Sequence, residues 1–159
     1  MKKVIGIGEY AVMKNPAVIV TLGLGSCVAV CVRDPVAAVG GMAHVMLPDS
    51  GGKTDKPGKY ADTAIETLVK ELEALGAKKG RMEAKIAGGA SMFESKGMNI
   101  GQRNVEAVKR HLKEHGIKLV AEDTGGNRAR SVEYNIATGK LLVRKVGGGG
   151  GERLEIKEI

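Results

Sequence analysis

An α+β fold is the architecture this chain predicts, with largely antiparallel or mixed β-sheets packed with two main helices. Three observations lead there. Short runs rich in valine and isoleucine recur between glycine, proline and aspartate turn signals. Two longer segments, 59–75 and 99–115, carry apolar residues at three- and four-residue spacing, the signature of a helix with one buried face. The hydrophobic share is 43% with one phenylalanine, three tyrosines and no tryptophan, so the core must be aliphatic. A chain of 159 residues suits one domain, expected over 1–146, with 147–159 as a glycine-rich linker and C-terminal tail.

Taken in order, Lys3 to Gly8 and Tyr10 to Met13 predict short strands, and Asn15-Pro16 a turn. Ala17 to Leu22 is a third strand that delivers Thr21 to a glycine corner. Cys27 to Arg33 and Val39 to Leu47 form two strands around the Asp34-Pro35 turn, and so short a connection makes them antiparallel. Asp49 to Gly58 is a polar loop, either a border or lid of a site or a plain surface loop. Lys59 to Leu75 is the clearest helix, with Tyr60, Ala64, Leu68, Leu72 and Leu75 on one face and Gly76 as its stop. Met82 to Ala87 is a strand. Met92, Phe93 and Met98 follow in a loop-like stretch that either packs on the core or offers a soft contact surface. Asn99 suits an N-cap, with Ile100, Val105, Val108 and Leu112 inward. Ile117 to Glu122, Ser131 to Ile136 and Lys140 to Val146 complete the strands, the last two as a hairpin. The closing ERLEIKEI alternates, and either adds an edge strand or stays loose.

The chemistry concentrates in TLGLGSCVAVCVRDPVAAVGGMAHVMLP, residues 21–48. Cys27 is the best candidate nucleophile. A thiol attacks as its thiolate, and so needs a base or a positive electrostatic setting. Folding the hairpin at 35–38 carries His44 to the edge where Cys27 begins the first strand. Gly23 and Gly25 permit a tight turn, and N–H groups near Gly25, Ser26 and Cys27 are free to face a developing oxyanion. The competing reading of Cys27 is a small buried apolar residue, the fate of many free cysteines, and the setting brings the two near balance. Thr21 has the type and place to orient a histidine ring, but by residue type an ordinary strand residue is ahead. Cys31 lacks the glycine setting and reads as structural.

Composition narrows the partners. The net charge is +7, but the basic residues are interleaved with acids, without an arginine tract or aromatic platform. Nucleic acid is therefore disfavoured, and an acidic protein substrate is the sharper reading. No apolar run approaches the length that crosses a membrane, and MKKVIGIGEY is no secretion signal. With only two cysteines, a reducing cytoplasm is expected. Cys27, Cys31, His111 and His115 spell C-x3-C and H-x3-H, which invites zinc. Four residues of strand span about 13 Å. That is beyond the Cα separation of about 7 Å that a disulfide tolerates, and it spreads the sulfurs too far for one tetrahedral ion. No metal is expected. The turn GGNRAR, with Arg128 and Arg130, suits an anion or a structural role equally.

TLGLGSCVAVCVRDP, GMAHVMLP, KYAD, KIAGGASMF, IGQRN and EDTGGNRARSVEYN, in that order, resemble the CheD family over nearly the whole chain. The resemblance implies a chemoreceptor glutamine deamidase: a cysteine hydrolase converting particular glutamines on chemoreceptor cytoplasmic helices to glutamate, in some members also cleaving glutamate methyl esters. It implies a fold similar to the catalytic domain of the cytotoxic necrotizing factor toxins. The family's cysteine falls on Cys27, its histidine on His44 and its threonine on Thr21. No cofactor is implied. The CheC phosphatase is the implied partner, and the alternative function is mainly regulatory binding of CheC with weak catalysis.

Overall fold

The computed structural model describes residues 1–53, 55–91, 99–146 and 154–159. Among the described residues, ten strands and two α-helices run β1 (Lys2–Ile5), β2 (Tyr10–Lys14), β3 (Val18–Leu24), β4 (Val28–Asp34), β5 (Val39–Val45), α1 (Ala61–Ala74), β6 (Glu83–Gly88), α2 (Ile100–Glu114), β7 (Lys118–Thr124), β8 (Arg130–Asn135), β9 (Leu141–Lys145) and β10 (Glu155–Glu158). They make two five-stranded sheets, ordered β1-β3-β8-β9-β10 and β2-β5-β4-β6-β7. The pairs β1–β3 and β6–β7 are parallel and the others antiparallel, so the α+β class with mixed sheets holds.

The layers follow from the two-residue period of a strand. On β4, Val28, Val30 and Val32 face the helices and pack with Ile65, Leu68, Val108 and Leu112. Ala29 and Cys31 face the other sheet and pack with Met42, Ile19, Leu24, Val132, Tyr134 and Leu141. The second sheet is thus buried on both faces, which is why its central strands read as continuous apolar runs. The helices cover one face and the first sheet covers the other.

Asp34 fixes the β4–β5 hairpin. Its carboxylate is fully buried and accepts from the Val36, Ala37 and Lys78 N–H groups and from Arg81. Burial alone would push its pKa up, but these donors hold it below the ordinary carboxylate value. The resulting register sets Ala29 opposite His44 and Cys31 opposite Met42.

Among the expectations that shift, the first strand ends at Ile5, not at Gly8. The first helix starts at Ala61, not Lys59, because Pro57–Lys59 forms a separate 3-10 turn. In α2, Ile100 is exposed and Val105 only partly buried; the buried stripe is Gly101, Asn104, Ala107, Val108 and Leu112. The cause is at Gly101, where a Cβ would come within 2.6 Å of the Ala90 and Gly89 oxygens. The helix meets the β6 corner there by its backbone, which turns Ile100 outward. Asn99 is the N-cap as expected, in a capping box with Gln102. The closing segment forms β10, antiparallel to β9. The Asp49–Gly58 loop is tied down at Ser50, which donates to Asp62 on α1. The contact surface expected at Met92, Phe93 and Met98, and the linker glycines 147–151, lie outside the described residues.

Candidate active site

Thr21 lies on β3 of one sheet and His44 on β5 of the other, and both side chains are completely buried between them. The Thr21 hydroxyl donates to the Ile5 carbonyl at 2.8 Å and lies 2.7 Å from His44 Nδ1. A hydroxyl has one proton, here spent on Ile5, so its oxygen must accept from Nδ1–H. The contact therefore selects the tautomer: the proton is on Nδ1, and Nε2 carries a bare lone pair. Nε2 is buried and makes no hydrogen bond among the described residues. The main chain at this position is fixed as well, since His44 N–H donates to Glu9 O at 3.0 Å and His44 O accepts from Gly8 N–H at 2.9 Å.

Cys27 stands immediately before β4, with 8% of its surface exposed, among the residues between the sheets. With Ala29 opposite His44, Cys27 is the diagonal neighbour of the histidine on the same face. Such pairs have Cα separations of about 7–8 Å, within reach of long side chains. The thiol has not closed onto Nε2 in this resting arrangement. Catalytic hydrogen bonds commonly tighten only when substrate binds.

Electrostatics make the resting pair neutral. Burial lowers the His44 pKa from the ordinary 6.5 to about 4. Burial also pushes the Cys27 thiol up. Neither shift has a compensating charge among its causes, so thiol and imidazole rest uncharged and the proton must move during attack. Cys31 is fully buried, its thiol raised far more strongly by burial, which suits the structural role.

The corner carrying Cys27 is clamped. Ala90 N–H donates to Gly25 O and Gly89 N–H to Cys27 O, each at 2.9 Å. Asn104 Nδ2 donates to Ser26 O at 3.0 Å and Met46 O at 2.9 Å. The N–H groups of Gly25, Ser26 and Cys27 make no hydrogen bond among the described residues. Asn104 escaped the sequence reading, although a signal existed: it shares the helical stripe of Gly101, Val108 and Leu112, and a buried amide there demands partners.

The remaining candidates separate from this centre. Cys27 and Cys31 face the inter-sheet layer, whereas His111 and His115 belong to α2 and its C-terminal end, on the far side of the second sheet. His111 pairs with Glu114 at 3.2 Å. The four residues whose spacing invites zinc are therefore split across a sheet. Arg130 is buried against Asp123 at 3.0 Å and donates to Gly88 O, and Arg128 donates to Val146 O and Lys145 O. The GGNRAR turn is structural.

Residues 46–145 match the family model described as CheD chemotactic sensory transduction. The chain is 86% identical over 159 residues to a Thermotoga maritima protein named chemoreceptor glutamine deamidase CheD, covering 100% of both chains. It is 49% identical over 150 residues to a probable chemoreceptor glutamine deamidase CheD of Pyrococcus abyssi, covering 91% of this chain and 92% of that one. A Thermococcus kodakarensis protein of the same description is 46% identical, over 94% of this chain and 96% of its own. Among solved structures, a Neisseria meningitidis protein of family model DUF152 aligns with TM-score 0.48 and 13% identity, over 79% of this chain and 64% of that one. No helix of the described residues is long and apolar enough to cross a membrane.

Proposed function

The chain belongs to the CheD family, and we propose that it hydrolyses the side-chain amide of chemoreceptor glutamines through a Cys27 thioester, with His44 as base and acid and Thr21 as the group that orients it. The observation that carries the reading is the Thr21–His44 contact, because it leaves Nε2 buried, and without a partner among the described residues, on the face that Cys27 shares.

Nε2 takes the Sγ proton as sulfur attacks the glutamine Cδ, and the carbonyl π electrons pass to oxygen. N–H groups of the Gly25–Cys27 corner hold that oxyanion, with Ser26 shaping the turn. The imidazolium then donates its proton to the departing nitrogen, and ammonia leaves as the thioester forms. His44 next takes a proton from water, hydroxide adds to the thioester carbon, and collapse of the second tetrahedral species breaks the C–S bond. Cys27 recovers its proton from His44, and glutamate leaves. The same steps cleave a methyl ester with methanol as leaving group, so demethylation of receptor glutamates belongs to the reading.

A receptor cytoplasmic fragment incubated with the protein tests it by mass spectrometry. Defined glutamines become glutamate with the wild type and stay amides with Cys27→Ala; conversion by Cys27→Ala would overturn the mechanism. Methanol release from a methylated fragment tests the ester reaction. Binding of a CheC phosphatase, the regulatory partner of this reading, should survive the same substitution.

A further inference from the structure

We propose that Asn104 is a positioning residue that sets the Ser26–Cys27 peptide so that the Cys27 N–H is the principal oxyanion donor. This rests on the Cys27 reading above. Asn104 is completely buried on α2, the helix layer, outside the Cys27–His44–Thr21 layer. Its Nδ2 faces two carbonyl oxygens, Ser26 O at 3.0 Å and Met46 O at 2.9 Å. Two acceptors fix which end of the amide faces them, since a side-chain oxygen there would meet only lone pairs.

The consequence comes from peptide geometry. A trans peptide is planar, with its C=O and N–H pointing in opposite directions. Asn104 draws the Ser26 C=O toward α2. The Cys27 N–H of the same peptide therefore points away from α2, toward the inter-sheet layer that holds Cys27 and His44. It makes no hydrogen bond among the described residues, so it is available to a substrate oxygen. Gly89 N–H holds the next carbonyl, Cys27 O, and stops the corner from rotating. The second acceptor, Met46 O, lies two residues after His44.

Asn104→Leu and Asn104→Ser, compared with wild type on a receptor fragment, give the kinetic test. Loss of one oxyanion donor typically costs about 10²-fold in kcat. We expect a fall of that order in Asn104→Leu, with KM within about twofold and partial recovery in Asn104→Ser, which keeps a shorter donor. The rate of Cys27 alkylation by iodoacetamide, and its pH profile, should not change, because alkylation forms no oxyanion. An unchanged kcat overturns the proposal. So does an alkylation profile that moves together with kcat, since Asn104 would then act on the thiol or on His44.

A measurement on the wild type stands even if the variants do not fold. A receptor peptide carrying an aldehyde in place of the target amide should form a hemithioacetal with Cys27, and the Cys27 amide proton should move strongly downfield. A hemithioacetal that leaves that resonance in place overturns the proposal. Aldehyde that fails to add to Cys27 at all, or deamidation by Cys27→Ala, would instead sink the thioester reading.

Discussion

At the scale of single residues, the site is governed by where protons rest. His44 is neutral because it is buried without a carboxylate partner, and Cys27 is a thiol because it is buried without a cation. A base of this kind works at pH values where a solvated histidine would already be charged. The acid limb of kcat/KM, which reports the free enzyme, should accordingly fall near pH 4, not near the ordinary 6.5. A limb at 6.5 or above would mean that another group, or a thiolate–imidazolium pair, controls the reaction. Stability follows the same proton. The unfolded chain binds it near 6.5 and the folded chain only near 4, so between those values the unfolded state holds more protons. Stability therefore falls as pH falls through that window. Urea titrations at several pH values should show the slope in the wild type and lose its His44 share in His44→Leu. Thr21→Val keeps the shape of the side chain and removes the acceptor of Nδ1–H. A hydrogen bond of this kind is worth about 1 kcal/mol, and the stranded N–H costs about as much again. We expect kcat to fall about tenfold or more with KM little changed. Unchanged kcat would show that the fixed main chain and packing alone hold the ring.

At the scale of elements, the end of β6 is pressed against the nucleophile corner. Gly88 has φ +117, and a Cβ there would lie 2.2 Å from Cys27 O, a backbone atom that cannot step aside. Gly125 also has a positive φ, +83, but a Cβ there meets nothing within 4 Å. Gly125→Ala should therefore cost only the backbone strain, about 1 kcal/mol. Gly88→Ala should cost several times more in chemical denaturation, and should lower kcat by displacing Cys27. Equal costs would show that the Cys27 contact is soft. This pair of glycines also marks the limit of what the sequence alone conveys. The Cys27–His44 hairpin was legible, because its valine runs, Asp34-Pro35 turn and short connection leave one way to pair. Both helices were legible from their apolar spacing, and Asn99 from its capping chemistry. The assignment of strands to sheets was not. Consecutive β3 and β4 enter different sheets, and an apolar run states only that both its faces are covered, not by what. Thr21 was accordingly readable as a candidate but not as a partner of His44, since their contact exists only where the two sheets meet. Asn104 was missed because the stripe was read through its apolar members, one of which, Ile100, proved to be exposed.

At the scale of the whole molecule, one buried charge cluster ties the two sheets together beside the site. Asp123, on β7 of the second sheet, pairs with Arg130, Lys145 and Lys157 at 3.0, 3.2 and 2.9 Å, and these come from β8, β9 and β10 of the first. Arg130 also donates to Gly88 O, the residue against which the Cys27 corner packs. Burial raises the Asp123 carboxyl, but hydrogen bonds from Lys157, Arg130 and Lys145 outweigh it and hold the net pKa below the ordinary value. The partners are unequal. Arg130 is 2% exposed and cannot turn to water if it loses its carboxylate, whereas Lys157 is 44% exposed and can. Removing one member of a buried pair strands the other, at a cost of about 3–5 kcal/mol. A half-exposed lysine is worth about 0–1 kcal/mol. Asp123→Asn should thus lose most of that larger amount in urea denaturation, while Lys157→Ala stays near the wild type. The pH dependence has the opposite origin from that of His44 but the same sign. The folded carboxyl is depressed, so its stabilisation is complete above the ordinary carboxylate pKa and is lost as pH falls through the folded value. The wild type should therefore show a further loss of stability below about pH 4 that Asp123→Asn lacks. If Asp123→Asn and Lys157→Ala cost the same, the cluster is a surface ion pair in its energetics and adds little to the joining of the two sheets.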